Sequence, residues 1–480
     1  MKKNSSRLMT GVLFTLLVAA AFGAATRPNI IFIYADDLRW DTLGVVAKEQ
    51  GDSARFPWVQ TPQLDRLAAQ SIRFRESFVA TSLCSPGRAN VMTSKYGHLT
   101  GVIGNGAHLP PETITFAKHL REAGYTTGYY GKWHMRDQRD RPEYDHFASF
   151  VGQGRYFDCP FLVDGKETPT KGWVDDVSTD YAIKFIDQQP RDKPFFAWLG
   201  FKSPHGPRGG NNLPDRVKDL YKEEKARPTP NTSIGSIYTA NGRTQDKSEN
   251  PGQVEGHRDY MRHVTAIDRA IGRVLDALER AGRLENTLVI LTSDNGYYLG
   301  EHGLGDKRSA YDESLRVPLL IRVPGAAKSA NAVNDAMVLN LDYGPTILDY
   351  AGAKPLSGAQ GRSLRPLLEG RRPTDWRTAF FYEYFREGNF AAPTVLALRT
   401  TTHKLTTYPG HKDWTEVFDL KKDPYEVSNL ASSKPELVAQ LQRQFDQEAK
   451  AVAFRWPEGY SADGDAAVPA TKTKAGKKKQ

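Results

Sequence analysis

The sequence predicts an α/β fold, a doubly wound and mostly parallel sheet flanked by helices, with a smaller antiparallel sheet after it. Short apolar runs that suit buried strands recur over the first 370 residues, and amphipathic segments long enough for helices lie between them. Further along, the pattern changes to short strands in succession, with one helical segment after them. Strands that alternate with helices favour a parallel sheet, whereas consecutive short strands favour an antiparallel one.

The individual elements follow from apolar periodicity. The buried strands are predicted at 29–34, 125–130, 195–199 and 287–292. The main helices are predicted at 114–123 and 264–281. The C-terminal elements are strands at 380–385, 395–399, 403–407 and 416–419 and a closing helix at 435–449. Residues 207–256, rich in Pro, Gly, Asn and Lys, are predicted to form a long insertion or substrate loop. We therefore predict a main α/β domain over 26–370 and an antiparallel-sheet subdomain over 371–460.

Both ends of the chain are predicted to lie outside the folded body. Basic residues precede an apolar run from Leu8 to Phe22 and then small residues, which is the pattern of a removable export signal over 1–25. The run is shorter than the roughly 20 residues that a membrane span needs. We therefore predict no stable membrane insertion and an exported protein, periplasmic or secreted. Residues 461–480 are predicted to form a disordered basic tail.

The basic composition does not by itself indicate nucleic-acid binding. The net charge is +9, but three basic residues lie in the signal segment and five lysines lie between Lys472 and Lys479. Without these eight charges the remainder of the chain carries +1, so we predict no nucleic-acid partner. Binding of another polyanion stays open.

The two cysteines, Cys84 and Cys159, could form one disulfide in an exported protein. The segment 84–88, Cys-Ser-Pro-Gly-Arg, predicts a helix start with Ser85 as the N-cap and Pro86 as the first helical residue. Cys84 would then lie beside the positive end of the helix dipole, where an anion is favoured. From this geometry alone Cys84 could be a reactive thiol, a disulfide partner or neither.

The Cys-x-Pro-x-Arg pattern continues as Ala-Asn-Val-Met-Thr-Ser at 89–94 and resembles the signature of type I, formylglycine-dependent sulfatases. Further elements resemble motifs of that family in the same order, at 36–37, 131–134, 204–205, 294–295 and 305–308. The resemblance implies an alkaline-phosphatase-like fold and hydrolysis of sulfuric esters. It also implies that a formylglycine-generating maturation enzyme oxidises Cys84 to formylglycine. Cys159 lacks the motif and is expected to be a free buried thiol.

The resemblance further implies a metal site at two pairs of polar residues. Its ligands would be Asp36, Asp37, Asp294 and Asn295, together with the oxidised Cys84. Three carboxylates and an amide oxygen are hard donors that suit Ca²⁺, whereas Mg²⁺ is less favoured because it demands tighter octahedral geometry. A single Asp after a strand could instead cap a helix or a turn, but two pairs at matching strand ends weaken that alternative.

The other motif residues are implied to act on the sulfate group. Arg88, Lys132 and Lys307 would bind and neutralise its oxygens. His134 would hydrogen-bond the formylglycine hydroxyl, and His205 would protonate the leaving alcohol, because an alkoxide leaves poorly. One oxygen of the hydrated aldehyde would attack sulfur, and elimination of sulfate would regenerate the aldehyde.

Two regions, 292–320 and 382–424, resemble carbohydrate sulfatases of the N-acetylglucosamine-6-sulfatase type more than arylsulfatases. The expected partner is a sulfated oligosaccharide or polysaccharide, and glycosaminoglycan, mucin and algal glycans are all admissible. The candidate sugar contacts are His108, Asp158, His302 and Arg308. A structural role is the simpler interpretation for each of them.

Two other functions stay open from the sequence. One is a phosphatase or phosphonate monoester hydrolase on the same scaffold, although zinc-dependent members need histidines beside the acid pairs and none adjoins Asp36 or Asp294. The other is a catalytically dead protein that binds sulfated glycans. Such a protein would be expected to lose some of the motif residues, and all of them are present.

Overall fold

A computed structural model of the chain describes residues 27–136, 138, 139, 141–238, 251–325, 331–388 and 390–465. The predicted signal segment, residues 239–250 of the predicted insertion and residues 466–480 of the predicted tail lie outside these ranges. Among the described helices, none has both the length and the apolar character that a membrane span requires.

A 10-stranded sheet forms the centre of the molecule. The strands up to residue 339 are β1 (Asn29–Asp36), β2 (Ile72–Phe74), β3 (Ser77–Phe78), β4 (Thr126–Lys132), β5 (His146–Phe150), β6 (Phe161–Val163), β7 (Lys166–Thr168), β8 (Phe195–Pro204), β9 (Thr287–Ser293), β10 (Leu320–Arg322), β11 (Ala332–Asn334) and β12 (Val338–Leu339). Their order in the central sheet is β11-β2-β10-β9-β1-β8-β4-β5-β6-β7, and β3 pairs with β12 separately. The neighbours β9, β1, β8, β4 and β5 all run parallel, so their carboxyl ends meet at one edge.

Helices cover both faces of this sheet. They are α1 (Gly44–Gln50), α2 (Pro62–Ala68), α3 (Cys84–Thr93), α4 (Gly97–Thr100), α5 (Phe116–Glu122), α6 (Val174–Gln188), α7 (Asp215–Lys218), α8 (Pro251–Arg280), α9 (Asp312–Leu315), α10 (Tyr343–Ala351), α11 (Arg365–Leu368) and α12 (Pro435–Ala451). Alternate residues of β1 face opposite layers, since Ile31 and Ile33 pack with α1, α2, α6 and α8 while Ile30 and Phe32 pack with α3, α5 and α10. Burial on both faces is typical of a central parallel strand, and the predicted doubly wound fold is confirmed.

The second sheet is small and antiparallel, as predicted. Its strands are β13 (Ala379–Tyr384), β14 (Val395–Thr400), β15 (His403–Thr407) and β16 (Glu416–Asp419), in that spatial order. Each strand agrees with the sequence prediction to within one residue at either end. The closing helix α12 inserts Leu441 among Leu398, Leu405 and Val417, which covers one face of the sheet.

Several predicted boundaries differ from the structure, among them the end of β8, which extends to Pro204 rather than stopping at 199. α8 begins at Pro251 rather than at 264. The sequence prediction missed the first part of this helix, because that part is polar apart from a short buried stretch around Tyr260 and Met261. Residues 461–465, predicted to belong to a disordered tail, instead form a hairpin of β17 (Tyr460–Ser461) and β18 (Gly464–Asp465). The prediction was therefore wrong for these tail residues.

Candidate active site

The carboxyl edge of the central sheet brings together every residue predicted for the site. Asp36 ends β1, Lys132 ends β4 and Asp294 follows β9. Asp36 also pairs in register with Pro204, the residue before His205. Since parallel strands end at one edge, residues far apart in the sequence lie side by side here.

Three carboxylates lie closest to one another. One oxygen from each of Asp36, Asp37 and Asp294 lies within 4.8 Å of the others. The backbone N–H of Asp37 donates to Asp294 Oδ1 (3.1 Å), and Asn295 Nδ2 donates to Asp37 Oδ1 (2.7 Å). Asp37 adopts a positive φ of 70°, which turns the chain sharply after β1. The four side chains are buried and form one oxygen-rich cluster.

The ionisation of these carboxylates depends on how close each lies to a cation. Burial opposes ionisation of Asp36, but the charge of Lys132 and further cations outweighs it and holds the pKa well below its usual range. Asp294 behaves differently, because burial and the neighbouring charge of Asp36 raise its pKa to about 7 despite Arg88. The protein's own cations therefore leave the negative charge near Asp294 incompletely compensated.

Helix α3 begins at Cys84, with Leu83 as its N-cap. The prediction that Ser85 is the N-cap and Pro86 the first helical residue was therefore wrong. The hydroxyl of Ser85 donates to the backbone oxygen of His134 (2.6 Å) instead of capping the helix. This bond ties the start of α3 to the loop after β4.

The Cys84 thiol lies at the centre of the cluster. Its Sγ lies 3.3 Å from Asp36 Oδ1 and 3.2 Å from Lys307 Nζ. Burial, followed by the charge of Asp36, raises the pKa of this thiol to about 12. An unmodified Cys84 therefore stays protonated at neutral pH and is a poor nucleophile.

Two lysines pair with the carboxylates. Lys307 Nζ donates to Asp37 Oδ1 (2.5 Å) as well as approaching the thiol. Lys132 Nζ pairs with Asp36 Oδ2 and donates to Gln153 Oε1 (2.6 Å). Both ammonium groups are buried, so their positive charge is directed at this small volume rather than at solvent.

Arg88 lies beneath the cluster, one turn into α3. Its Nη2 donates to Asp294 Oδ2 (3.1 Å) and its Nη1 donates to the backbone oxygen of Lys132 (2.8 Å). The guanidinium is fully buried and its Nε has no hydrogen-bond partner among the described residues. It therefore supplies a fixed positive charge that links α3 with the ends of β4 and β9.

The two histidines have different hydrogen-bond partners at the site. His134 Nδ1 lies 3.4 Å from Ser85 Oγ, and burial followed by the charge of Lys132 lowers its pKa. His205 donates its Nδ1 proton to the backbone oxygen of Gly206 (2.6 Å), which leaves Nε2 to exchange protons with a ligand. Burial lowers the pKa of His205 to about 3.

The oxygen cluster fits a bound divalent cation. Its donors are three carboxylates and one amide, which is the hard donor set that Ca²⁺ prefers. Asn295 Nδ2 donates hydrogen bonds to Asp37 Oδ1 and to the backbone oxygen of Gly296. Its Oδ1, in contrast, is buried and accepts no hydrogen bond from any described residue. An orphaned buried oxygen beside an incompletely compensated carboxylate is what a cation would satisfy.

Sequence reasoning missed Arg208, which also lies at this site. Its guanidinium lies 4.9 Å from the ring centroid of Tyr260 and 4.3 Å from that of Tyr297, and its Nη2 is 3.8 Å from Asp37 Oδ2. Its Nε donates to the backbone oxygen of Pro204 (2.5 Å). The only available signal was its position three residues after His205 in a Pro- and Gly-rich segment, which no spacing rule distinguishes from an exposed loop.

All four of the proposed sugar contacts have structural partners, His108 through a β-bridge with Arg136. His302 is buried and stacks on Tyr311 with ring centroids 3.7 Å apart, which agrees with the simpler, structural interpretation of this residue. Asp158 is exposed and accepts a hydrogen bond from Gly172 N (2.7 Å). Arg308 is held by neighbouring carboxylates, as described below, and His108 lies on the surface.

Cys159 is buried and free, as is Cys84, so the two do not form a disulfide. Burial raises the pKa of the Cys159 thiol. Its Sγ accepts a hydrogen bond from Arg155 N (3.4 Å), which is a packing role rather than a chemical one. The expectation of a free buried thiol is confirmed.

Comparison with known proteins agrees with this geometry. The family model "Sulfatase" matches residues 28–353, and the model "N-sulphoglucosamine sulphohydrolase, C-terminal" matches residues 300–451. An N-acetylglucosamine-6-O-sulfatase of Bacteroides thetaiotaomicron is 32% identical, with 90% of this chain and 88% of that protein aligned. An ulvan-active sulfatase of Formosa agariphila is 31% identical, with 88% of this chain and 80% of that protein aligned.

A solved structure extends the likeness to three dimensions. A protein in complex with its substrate D-glucosamine-2-N,6-O-disulfate superimposes with a TM-score of 0.76 at 30% identity, covering 89% of this chain and 98% of the other. The predicted alkaline-phosphatase-like architecture is confirmed. The chain belongs to the sulfatase family and is a sulfuric ester hydrolase.

Proposed function

We propose that this protein removes sulfate from an O-sulfated sugar of a glycosaminoglycan, mucin or algal polysaccharide. The observation that carries the proposal is the position of Cys84 at the start of α3, between Asp36 and Lys307. An anion-binding helix start, buried cations and an oxygen-rich metal cluster meet at that one point. The relatives named above act on sulfated sugars, which supports a carbohydrate substrate.

We infer that the active form carries formylglycine at position 84. With a pKa of about 12, the unmodified thiol would be protonated and unreactive at neutral pH, so the site as translated lacks a nucleophile. A hydrated aldehyde supplies an oxygen nucleophile and can expel sulfate afterwards, which a serine or a thiol cannot do. A maturation enzyme acting on the unfolded segment 84–88 is the implied partner.

Ca²⁺ is the proposed metal, held by Asp36, Asp37, Asp294 and Asn295 together with the oxidised Cys84. When bound, it supplies positive charge to the sulfate oxygens and to the nucleophile. Mg²⁺ suits the site less well, because a rigid octahedron is harder to satisfy with four clustered protein oxygens.

The proposed role of the three cations is to bind and polarise the sulfate. Lys132, Lys307 and Arg88 are buried, and their charges already pair with Asp36, Asp37 and Asp294. When the metal and a sulfate ester are bound, these cations would exchange their contacts with the carboxylates for contacts with the sulfate oxygens, with little reorganisation of the protein.

The proposed role of His205 is to protonate the leaving oxygen. Its Nδ1 proton is held by Gly206 O, so Nε2 is the nitrogen available for transfer. A bound sulfate ester adds negative charge beside the ring and shifts the pKa of His205 upward from about 3. His134, held near Ser85, is proposed to orient the nucleophile.

Within carbohydrate substrates, a 6-O-sulfated glucosamine is the first candidate to assay. The relative from B. thetaiotaomicron is an N-acetylglucosamine-6-O-sulfatase, and the solved neighbour holds a 6-O-sulfated glucosamine as its substrate. Phosphate or phosphonate ester hydrolysis is less favoured, because both matched family models and the two relatives named above are sulfatases. A catalytically dead binding protein is disfavoured by the complete set of buried cations around Cys84.

Export to the periplasm or outside the cell is proposed from the pattern of residues 1–25. Such a location would give a glycan hydrolase access to extracellular polysaccharide. Mass analysis of the N-terminus of the secreted protein identifies whether that segment is removed.

The central experiment is mass analysis of the peptide that contains position 84, with the maturation enzyme co-expressed. The expected result is an aldehyde in place of the thiol, together with multiple turnover on a panel of sulfated saccharides. Cys84→Ser is expected to lose turnover by about three orders of magnitude or more while unfolding at the same temperature as the parent, because it lacks the aldehyde that releases sulfate. Steady multiple turnover by Cys84→Ser would contradict the formylglycine assignment.

A further inference from the structure

Phe390 presents an aromatic ring to solvent on the loop after β13. Its residue is 46% exposed, and it is the aromatic member of the exposed large hydrophobic residues in the described ranges, the others being Ile114, Val151 and Val333. An exposed Phe is costly in water, because apolar area of this size is normally buried.

A short path of contacts connects this ring to the nucleophile. Arg308 Cζ lies 3.4 Å from the ring centroid of Phe390, and the preceding residue, Lys307, has its Nζ 3.2 Å from Cys84 Sγ. The N–H of Phe390 donates to the backbone oxygen of Glu387 (3.0 Å). The ring therefore lies on the rim of the proposed active site rather than on a remote surface.

A second path reaches the start of α3 from the same loop. Glu387 Oε1 accepts a hydrogen bond from Asn105 N (2.5 Å), and Asn105 Oδ1 accepts one from Ser85 N (3.1 Å). Glu387 is thus two hydrogen bonds from the residue that follows Cys84. Two independent contacts fix this loop of the C-terminal sheet beside the nucleophile.

One face of the Phe390 ring packs against the Arg308 guanidinium, which is itself held by hydrogen bonds. Arg308 Nε donates to Glu387 Oε2 (2.8 Å) and its Nη1 donates to Asp306 Oδ2 (2.8 Å), and these two bonds restrain the guanidinium against the ring. With one face of Phe390 covered by Arg308, its exposed area lies away from that contact. A flat aromatic surface with a fixed cation behind it is a preorganised binding feature.

We propose that Phe390 is a stacking platform for the pyranose ring of the sulfated sugar, and that Arg308 supports it. The apolar C–H face of a pyranose matches an aromatic face, while the sulfate of the same sugar would enter the buried cation cluster. The guanidinium behind the ring is itself paired with Asp306 and Glu387, so its role is to support the ring rather than to attract the anion. This inference rests on the proposed carbohydrate sulfatase function and assigns the residue that would contact the sugar itself.

The test compares Phe390→Ala with Phe390→Trp, which keeps an aromatic face, and with Val333→Ala on the outer strand β11 as the control for loss of an exposed apolar side chain. Binding of 6-O-sulfated N-acetylglucosamine is measured by calorimetry in the Cys84→Ala background, which does not turn it over. Inorganic sulfate is titrated in parallel, because it occupies the sulfate site without a sugar ring. Thermal unfolding of each variant checks that the fold is retained.

Phe390→Ala is expected to weaken saccharide binding at least about five-fold, with sulfate binding unchanged, and Phe390→Trp to restore it. In the matured enzyme, Phe390→Ala should raise KM for the saccharide with kcat little changed. Equal weakening of both ligands, no change for either, or no saccharide binding by the Phe390 parent would overturn the platform. Failure of the parent to release sulfate from any saccharide, despite a confirmed aldehyde, would instead contradict the proposed function.

Discussion

Three buried carboxylates within 4.8 Å of one another repel unless positive charge compensates them. The raised pKa of Asp294 indicates that this compensation is incomplete. Lys132 and Lys307 pair with Asp36 and Asp37, whereas burial and a neighbouring acid raise the pKa of Asp294 to about 7. A metal ligand has to be deprotonated to bind. The proposed metal site is therefore coupled to the protonation of one particular aspartate.

Calcium binding should depend on pH because of Asp294. Above about pH 7 this carboxyl is ionised in the metal-free protein and binding releases no proton from it. Below that pH it holds a proton that calcium must displace, so affinity should fall by up to roughly ten-fold per pH unit. Calorimetric titration of Ca²⁺ into chelator-treated protein at pH 6 and pH 8, in buffers of different ionisation enthalpy, measures both the affinity and the protons released.

Asn295→Ala provides the matched comparison, since it removes a neutral ligand oxygen. We expect it to weaken calcium binding at both pH values while the pH dependence stays that of the parent. An affinity that does not change with pH, or tighter binding of Mg²⁺ than of Ca²⁺, would be inconsistent with the proposed site.

At the scale of elements, the site depends on how closely α3 approaches the end of β9. A Cβ added to Gly87 would lie 2.8 Å from the backbone oxygen of Asp294, which is closer than real Cβ contacts. Backbone cannot give way as a flexible side chain can, so any larger residue pushes the helix away from the strand. Gly87 therefore sets the distance between Cys84 and the acid cluster.

Gly87→Ala should lower the free energy of unfolding by about 1–3 kcal/mol and reduce kcat, because the helix start moves relative to the metal ligands. Gly256→Ala is the matched control, since it is also a glycine within a helix but an added Cβ meets nothing within 4 Å. The control should be neutral or slightly stabilising. Denaturant unfolding and steady-state kinetics measure both quantities; an unaltered Gly87→Ala enzyme would refute the argument.

The sequence was sufficient to locate the central strands and the site residues near their ends, although β8 extends five residues beyond its predicted end. Apolar runs that lead to Asp36 or Asp294 carry a strong local signal, because charged residues are rarely buried without a partner. The start of α3 was misplaced because Ser85 has two possible partners, and the loop carbonyl of His134, far away in sequence, is the one it binds. Arg208 and Phe390 were missed for the same reason, since their positions depend on contacts with distant elements rather than on neighbours in the chain.

At the scale of the whole molecule, the C-terminal sheet helps to build the site. Tyr96, shortly after α3, donates its hydroxyl to Phe381 O (2.7 Å), and His98 Nδ1 lies 2.6 Å from Glu383 Oε2. Tyr96 and Phe381 belong to a hydrophobic cluster that also contains Leu83, the N-cap of α3, and the buried His98 lies beside Tyr96. The rim formed by the loop after β13 is thus fixed by the same packing that fixes the nucleophile.

The proposed site lies between residues 36 and 307, whereas five lysines of the net +9 charge lie between Lys472 and Lys479. If these lysines are incidental to catalysis, deleting 466–480 should leave kcat/KM on a polysaccharide within about two-fold of the parent. The measurement is made at low salt and at 0.15 M salt, where the Debye length is about 8 Å. Replacing the five lysines with glutamine at full length separates charge from chain length. A loss confined to low salt, shared by both variants, would show instead that the tail attracts the anionic substrate.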